Sequence, residues 1–396
     1  MSLLGSLPLP RRGVHRPRGT LRGLLSGALR GGDAVARFEE DAARFFGVRH
    51  ATAVGSGRLA QRLILEGLQL PHGAPVYLPA LTFHAVPTVV RDLGLRPVFV
   101  DVDPATLLMD PASLARAVED GPGAVIATHL FGLVQRLEPI RAIAEPAGLA
   151  VIEDFAQAAG ATSGGRRVGG LADAGYTSLE TVKILPAFGG GLALTDDETL
   201  ADHLRRARAQ LVAADGRRLL RKVALGHVEA ALGTPLGFAA AWPVFGGDDD
   251  ADLIARYKKG KTKAGNHAAG LHAAQAEVGR RGLDQLTAHV TTRRALAERL
   301  RGALAGCALP QVAEGTEPAW YQVVARATDP DGLFRAARRA RVDVGRGVAT
   351  DLSGGACPEA ARAAREVVQL PCHPALRTDD VDRVAEVARP WLQPSP

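Results

Sequence analysis

At 396 residues, 46% of them apolar and 23% charged, the sequence excludes a largely disordered chain. It also exceeds the roughly 250–300 residues that one core fills, so a large and a smaller domain are expected. The net charge of +6 and pI near 9.5 admit an anionic ligand, but the arginines are spread along helical stretches such as 201–221 without interleaved aromatics, which argues against nucleic acid as partner.

Three scattered cysteines, Cys307, Cys357 and Cys372, lack metal-ligand spacing; a reduced, cytoplasmic protein without a metal site is expected. The apolar stretch Leu3 to Leu9 precedes its basic run (Arg11, Arg12, Arg16, Arg18), the wrong order for a secretory signal. No run approaches the ~20 apolar residues of a membrane span.

In chain order, residues 1–31 read as a basic N-terminal arm. From about residue 50 to 196, strands are predicted at 75–78, 97–102, 124–128, 149–153, 175–178 and 191–195, with helices between them at 57–70, 83–93, 111–119 and 137–147. Runs such as PVFV and AVIED are apolar at nearly every position, as expected for strands covered on both faces. The pattern predicts an α/β protein with a mainly parallel, doubly wound sheet in a large domain over 32–290. Residues 197–306 read as mostly helical, interrupted by a Gly-, Pro- and aromatic-rich loop near 233–250, within a helical and loop insertion at about 211–260. A smaller C-terminal α/β domain is predicted over 291–396, with a strand at 321–325, a Gly-rich turn, and helices at 330–341, 358–367 and 378–392.

In an open parallel sheet, ligands bind at the carboxyl edge of the strands. Four features fall at such edges. The turn Gly55-Ser56-Gly57 opens a helix whose free N–H groups suit a phosphate; Thr82-Phe83 follows a strand; EDFAQA puts Asp154 at a strand end; SLETVK offers Ser178 and then Lys183. Singly, each is better explained as a cap, a packed aromatic, a turn residue or a surface charge. In this order they supply what pyridoxal phosphate requires: a lysine amine, an acid for the pyridine nitrogen, phosphate donors and a stacking aromatic.

Segments around FEEDAARFFGVRHATAVGSG, EDFAQAAGATSGGRRVGGLADAG, SLETVKILPAFGGGLALTDD and REVVQLPCHPALRTDDVDRVAEVAR resemble the DegT/DnrJ/StrS family of pyridoxal-phosphate-dependent sugar aminotransferases. Those enzymes have the fold of aspartate aminotransferase (fold type I). The resemblance implies that Lys183 carries pyridoxal 5'-phosphate as a Schiff base and that Asp154 pairs with the pyridinium nitrogen. It also implies that Gln157 lies beside the cofactor, that Phe83 stacks on its ring, and that Ser56, Gly57, Arg58 and Ser178 surround its phosphate. A neighbouring subunit of a homodimer would reach that phosphate through Asn266. Arg58 stands in place of a usual small hydroxyl residue, Glu180-Thr181 in place of a common Phe-Pro pair, and Gly189 in place of a frequent Glu. Apart from Arg58, these departures fall on the substrate side and leave the cofactor residues intact.

The expected reaction is transamination, with glutamate as donor and a nucleotide-linked keto-sugar as acceptor. A cyclitol, lipid-linked or acyl ketone, a condensing reaction on the same fold, and a non-catalytic regulatory protein are the alternatives. The basic stretch Arg256, Lys258, Lys259, Lys261 and Lys263 is a candidate contact for a diphosphate.

Overall fold

The computed structural model describes residues 7–30, 33–119, 121–245, 269–346 and 350–395. Asn266, the basic stretch 256–263 and residues 246–260 of the predicted insertion therefore lie outside the described residues.

Seven strands form the main sheet: β1 (His50–Val54), β2 (Pro75–Pro79), β3 (Arg96–Val100), β4 (Gly123–Thr128), β5 (Leu149–Asp154), β6 (Ala174–Ser178) and β7 (Gly191–Thr195). Their order is β1-β7-β6-β5-β4-β2-β3. β7 is antiparallel to both β1 and β6, and the remaining neighbours are parallel. Six strands thus share one direction and β7 alone returns. The sheet is the mainly parallel one expected. β1 is not among the predicted strands, because HATAV has only one β-branched apolar residue and two alanines, a weak strand signal.

The two-residue strand period sends neighbours to opposite faces. Val76, Leu78, Ile126 and Ile152 pack with Leu63 and Ile64 of helix Gly57–Gly67, Val90 of Ala85–Asp92 and Leu204 of Glu198–Ala209. Tyr77, Val125 and Val151 pack on the other side with Leu114 of helix Pro111–Ala117 and Ile140 of Glu138–Ala144. Helices on both faces make the sheet doubly wound.

A second sheet of three antiparallel strands joins Val323–Arg326, Val367–Leu370 and Gly345–Arg346, with Val367–Leu370 in the middle. Residue 367 was expected to end a helix; instead the helix stops at Glu366 and VVQL forms the central strand. Two consecutive β-branched valines favour that outcome. The loop expected near 233–250 is also corrected in its described part, since Pro235–Phe245 is a helix. Thr234 starts it, its hydroxyl accepting from the Gly237 N–H at 3.1 Å, and Pro235 stands at the first helical position, where its missing donor costs nothing.

One helix, Ala273–Ala303, runs 31 residues and passes through position 290, where the domain boundary was expected. Its first half joins the apolar cluster of Phe38, Phe155 and Ile184, and its second half that of Val323, Val368 and Leu370. The N-terminal segment lies along the C-terminal part of the chain. There Leu9 is buried, its N–H donates to Arg341 O and its carbonyl accepts from Asp343 N. No helix among the described residues is long and apolar enough to cross a membrane.

Candidate active site

β6 and β7 are joined by residues 179–190, the loop that carries Lys183. Leu179, Ile184, Leu185 and Ala187 are buried in it, and burial of each leucine or isoleucine contributes about 1.5–3 kcal/mol. The Leu179 carbonyl accepts from both Ala187 N and Gly189 N, and the Lys183 N–H donates to Glu180 O at 2.9 Å. At the far end Gln275 of the long helix donates to the Phe188 and Gly189 carbonyls, both at 3.1 Å. The lysine stands on a fastened loop. Its Nζ lies 5.3 Å from the centroid of the Tyr321 ring.

Asp154 ends β5, in register with Thr128 of β4 and Tyr176 of β6. Its Oδ1 accepts from the Ala156 N–H at 3.0 Å and its Oδ2 from the Tyr176 hydroxyl at 3.0 Å. Burial raises the pKa of its carboxyl above the ordinary value; the Ala156 bond, the Lys183 charge, the Tyr176 bond and His129 oppose that rise. The side chain is therefore costly to ionise alone and ready for a cation. The Tyr176 hydroxyl is raised well above its usual pKa by burial and by Asp154, so it stays a donor.

Glu153 points to the opposite face. It accepts from the N–H groups of Gly169 (2.8 Å), Leu171 (2.6 Å) and Ala172 (3.0 Å), and its Oε2 lies 3.0 Å from His129 Nε2. His129 Nδ1 accepts from Gln135 N–H, so the ring proton sits on Nε2 and is donated to Glu153. Glu153 and His129 are both fully buried. The two acids of EDFAQA thus differ in kind, Glu153 held by three backbone donors and His129, Asp154 by the Ala156 N–H and the Tyr176 hydroxyl.

Ser56 caps helix Gly57–Gly67, its hydroxyl accepting from Leu59 N–H at 3.2 Å. Helix and strand end meet so closely that a Cβ on Gly57 would lie 2.9 Å from Ser178 Cβ. Only glycine permits that approach without displacement, and it brings the first-turn N–H groups beside the Ser178 hydroxyl. Arg58 is half-buried in the same turn. Phe83 follows the short strand Leu81–Thr82 and its ring contacts His84 at 4.3 Å. Gln157 Oε1 accepts from Phe131 N–H at 2.9 Å, tying the EDFAQA segment to the loop after β4.

Two buried hydroxyls, Thr82 Oγ1 and Thr128 Oγ1, have no hydrogen-bond partner among the described residues. Both stand beside the features above, and buried polar groups left unpaired at a strand edge point to a polar ligand. With the glycine-lined cradle and the acid at a strand end, this donor set suits a phosphate-bearing, cationic aromatic ring.

Tyr176, Glu153, His129 and Tyr321 were not among the predicted site residues. Tyr176 was within reach, since counting parallel registers from Asp154 leads to it; Tyr321 was not, because it comes from 138 positions beyond Lys183 in sequence (321 − 183). Among the described residues no group of His, Cys, Asp and Glu suits a metal ion.

The model of the DegT/DnrJ/EryC1/StrS aminotransferase family matches residues 19–241 and 254–389. A dTDP-3-amino-3,4,6-trideoxy-alpha-D-glucose transaminase from Micromonospora megalomicea subsp. nigra is 31% identical over 386 residues, covering 92% of this chain and 91% of that protein. An L-glutamine:2-deoxy-scyllo-inosose aminotransferase from Streptoalloteichus tenebrarius is 37% identical over 215 residues, about half of each chain (53% and 50%). The solved structure of DesV from S. venezuelae superposes with a TM-score of 0.75 at 26% identity, over 94% of each chain. The chain belongs to the DegT/DnrJ/EryC1/StrS aminotransferase family and is an aminotransferase.

Proposed function

We propose that the chain is a pyridoxal-phosphate-dependent transaminase that moves an amino group from glutamate to a keto-sugar carried on a nucleotide. The observation that carries this reading is the meeting of Asp154 and Lys183 at one strand edge, close enough for the lysine charge to act on the acid. Bound there, the cofactor supplies an aldehyde that captures amines and a conjugated ring that spreads the charge left when a substrate Cα–H bond breaks. Lys183 Nζ would hold the cofactor and is the group that would move the proton at the substrate Cα. Asp154 keeps the ring nitrogen protonated; Ser56, Gly57, Arg58 and Ser178 hold the phosphate; Phe83 and Gln157 border the ring.

A keto-sugar acceptor is supported by the name of the relative that spans 91% of its own length in the match. A cyclitol ketone is the second reading, favoured by the name of the inosose aminotransferase. The reading extends to a cytoplasmic homodimer, with a large domain over 32–290 and a small one over 291–396 sharing the long helix.

Borohydride reduction and peptide mapping test the cofactor lysine, and a label on any lysine other than Lys183 refutes it. Enzyme loaded with glutamate and then offered keto-sugar nucleotides or inosose ketones tests the acceptor. Turnover with the cyclitol alone overturns the sugar reading.

A further inference from the structure

Tyr321 reaches the site from the chain segment before the second sheet, and its position is held on two sides. On one side the loop after β4 approaches its backbone: Ala319 N–H donates to Gly132 O at 2.9 Å and Gln322 N–H to Phe131 O at 3.1 Å. Gly132 has φ +86°, and a Cβ there would lie 2.4 Å from Tyr321 N, so glycine is required at that contact. Phe131 is in turn bonded to Gln157.

On the other side stands Arg293 of the long helix, a guanidinium only 3% exposed. Its Nη1 donates to Trp320 O at 3.2 Å and reaches Tyr321 O at 3.5 Å, while its Nε bonds to His289 Nε2 at 3.0 Å. Trp320 has φ +49°, a left-handed conformation that a bulky residue holds only when its surroundings impose it. Arg293 is the group that holds both carbonyls of this strained turn. The result is an aromatic face turned to the Lys183 amine, within the range at which a ring attracts a cation.

We propose that Tyr321 is the positioning residue for Lys183, its ring face holding the lysine ammonium in place, and that Arg293 sets that ring through the Trp320–Tyr321 backbone. The proposal rests on reading Lys183 as the cofactor lysine. A lysine that must carry a proton needs a defined position, and the ring face offers one beside the Asp154 carboxyl. Among the described residues, the charged and titratable groups around the pair include Asp154, which faces Lys183 and is itself bonded by Tyr176 and near His129, and, around Arg293, His289, His15 stacked on His289 at 3.7 Å, Cys372 and His373. Asp154 and the Tyr321 ring both favour the ammonium form, so losing the ring must make Lys183 easier to deprotonate.

The test is the pKa of Lys183 in the full chain freed of cofactor, read from the pH dependence of trinitrobenzenesulfonate labelling at that residue by peptide mapping. Tyr321→Phe keeps the face and is expected to match wild type; Tyr321→Leu is expected to lower the pKa by about half a unit. Should Tyr321→Leu not fold, Tyr321→Trp decides, because its stronger face is expected to keep or raise the value. Arg293→Gln is expected to move Lys183 in the same direction as Tyr321→Leu and by less. Equal values for Phe, Leu and wild type, a fall in Tyr321→Phe equal to that in Leu, or a fall in Tyr321→Trp overturns the proposal; no shift in Arg293→Gln overturns the role of Arg293. Borohydride labelling of the holoenzyme is independent of these values, so a failure here is distinguishable from a failure of Lys183 as cofactor lysine.

Discussion

The Tyr176 hydroxyl donates to Asp154 Oδ2 across two parallel strands at 3.0 Å, and burial and the Asp154 carboxyl hold the pKa of that hydroxyl well above the usual phenol value. Tyr176 therefore orients the acid at the end of β5. Hydrogen bonds to charged groups contribute about 1.5–3 kcal/mol. Tyr176→Phe is expected to fold normally and to turn over about tenfold more slowly, as steady-state kinetics will show; unchanged turnover means that the bond does not serve the reaction.

Asp154→Asn is expected to separate stability from activity. The folded pKa of Asp154 lies above the unfolded one, so below the unfolded value both states bind the proton and nothing changes. As pH rises past it, the unfolded state loses the proton first and the cofactor-free protein loses stability until the folded pKa is passed. At neutral pH Asn avoids that loss, and the cofactor-free variant should melt at or above wild type while turnover falls on the order of 10²-fold or more. A lower melting temperature with normal turnover would reverse the assignment.

Glu153→Ala should behave in the opposite way. It leaves three backbone donors and His129 without their acceptor in a fully buried setting, where breaking such a network costs about 3–5 kcal/mol. Urea denaturation should show a loss of that size, well beyond any change in Asp154→Asn.

For Gly57→Ala, the new Cβ meets Ser178 Cβ at 2.9 Å, and overpacking of this kind costs about 1–3 kcal/mol. The helix must back away from the strand end. Cofactor affinity, measured by titrating the cofactor-free protein, should weaken while secondary structure by circular dichroism is retained. An affinity equal to wild type would remove the helix start from the phosphate site.

Leu220, Leu225, Val228 and Leu236 are exposed on the helices Gly216–Leu232 and Pro235–Phe245, with Leu21 and Leu25 exposed on Thr20–Arg30. Burial of such a face between subunits agrees with a homodimer. Sedimentation should give a dimer, and the pair Leu220→Asp and Val228→Asp should shift it toward monomer; an active wild-type monomer refutes the dimer.

Much of this fold was legible because its strands are apolar at consecutive positions and its helices begin at readable caps. The reversed strand β7 was legible as a strand but not in direction, since nothing local in GLALT encodes whether a chain returns. The cofactor candidates Asp154, Ser178 and Lys183 were legible because they cluster within thirty positions of one another at successive strand ends. Tyr321 and Arg293 were not, because pairing over such separations is set by packing alone. Val367 was read as the end of a helix and the strand it begins was missed for a related reason: a helix with a strand directly behind it leaves no turn residues to mark the change.

The helix Ala273–Ala303, about 46 Å long at 1.5 Å per residue, has its first half in the apolar cluster with the lysine loop and its second half in the one with the second sheet. It is a single stiff rod shared by both, with no break at which one sheet can swing from the other. Any rearrangement on substrate binding must then take the form of bending or of small slides along that rod. Arg293 stands about two-thirds of the way along it, where its guanidinium ties the rod to the Trp320–Tyr321 turn.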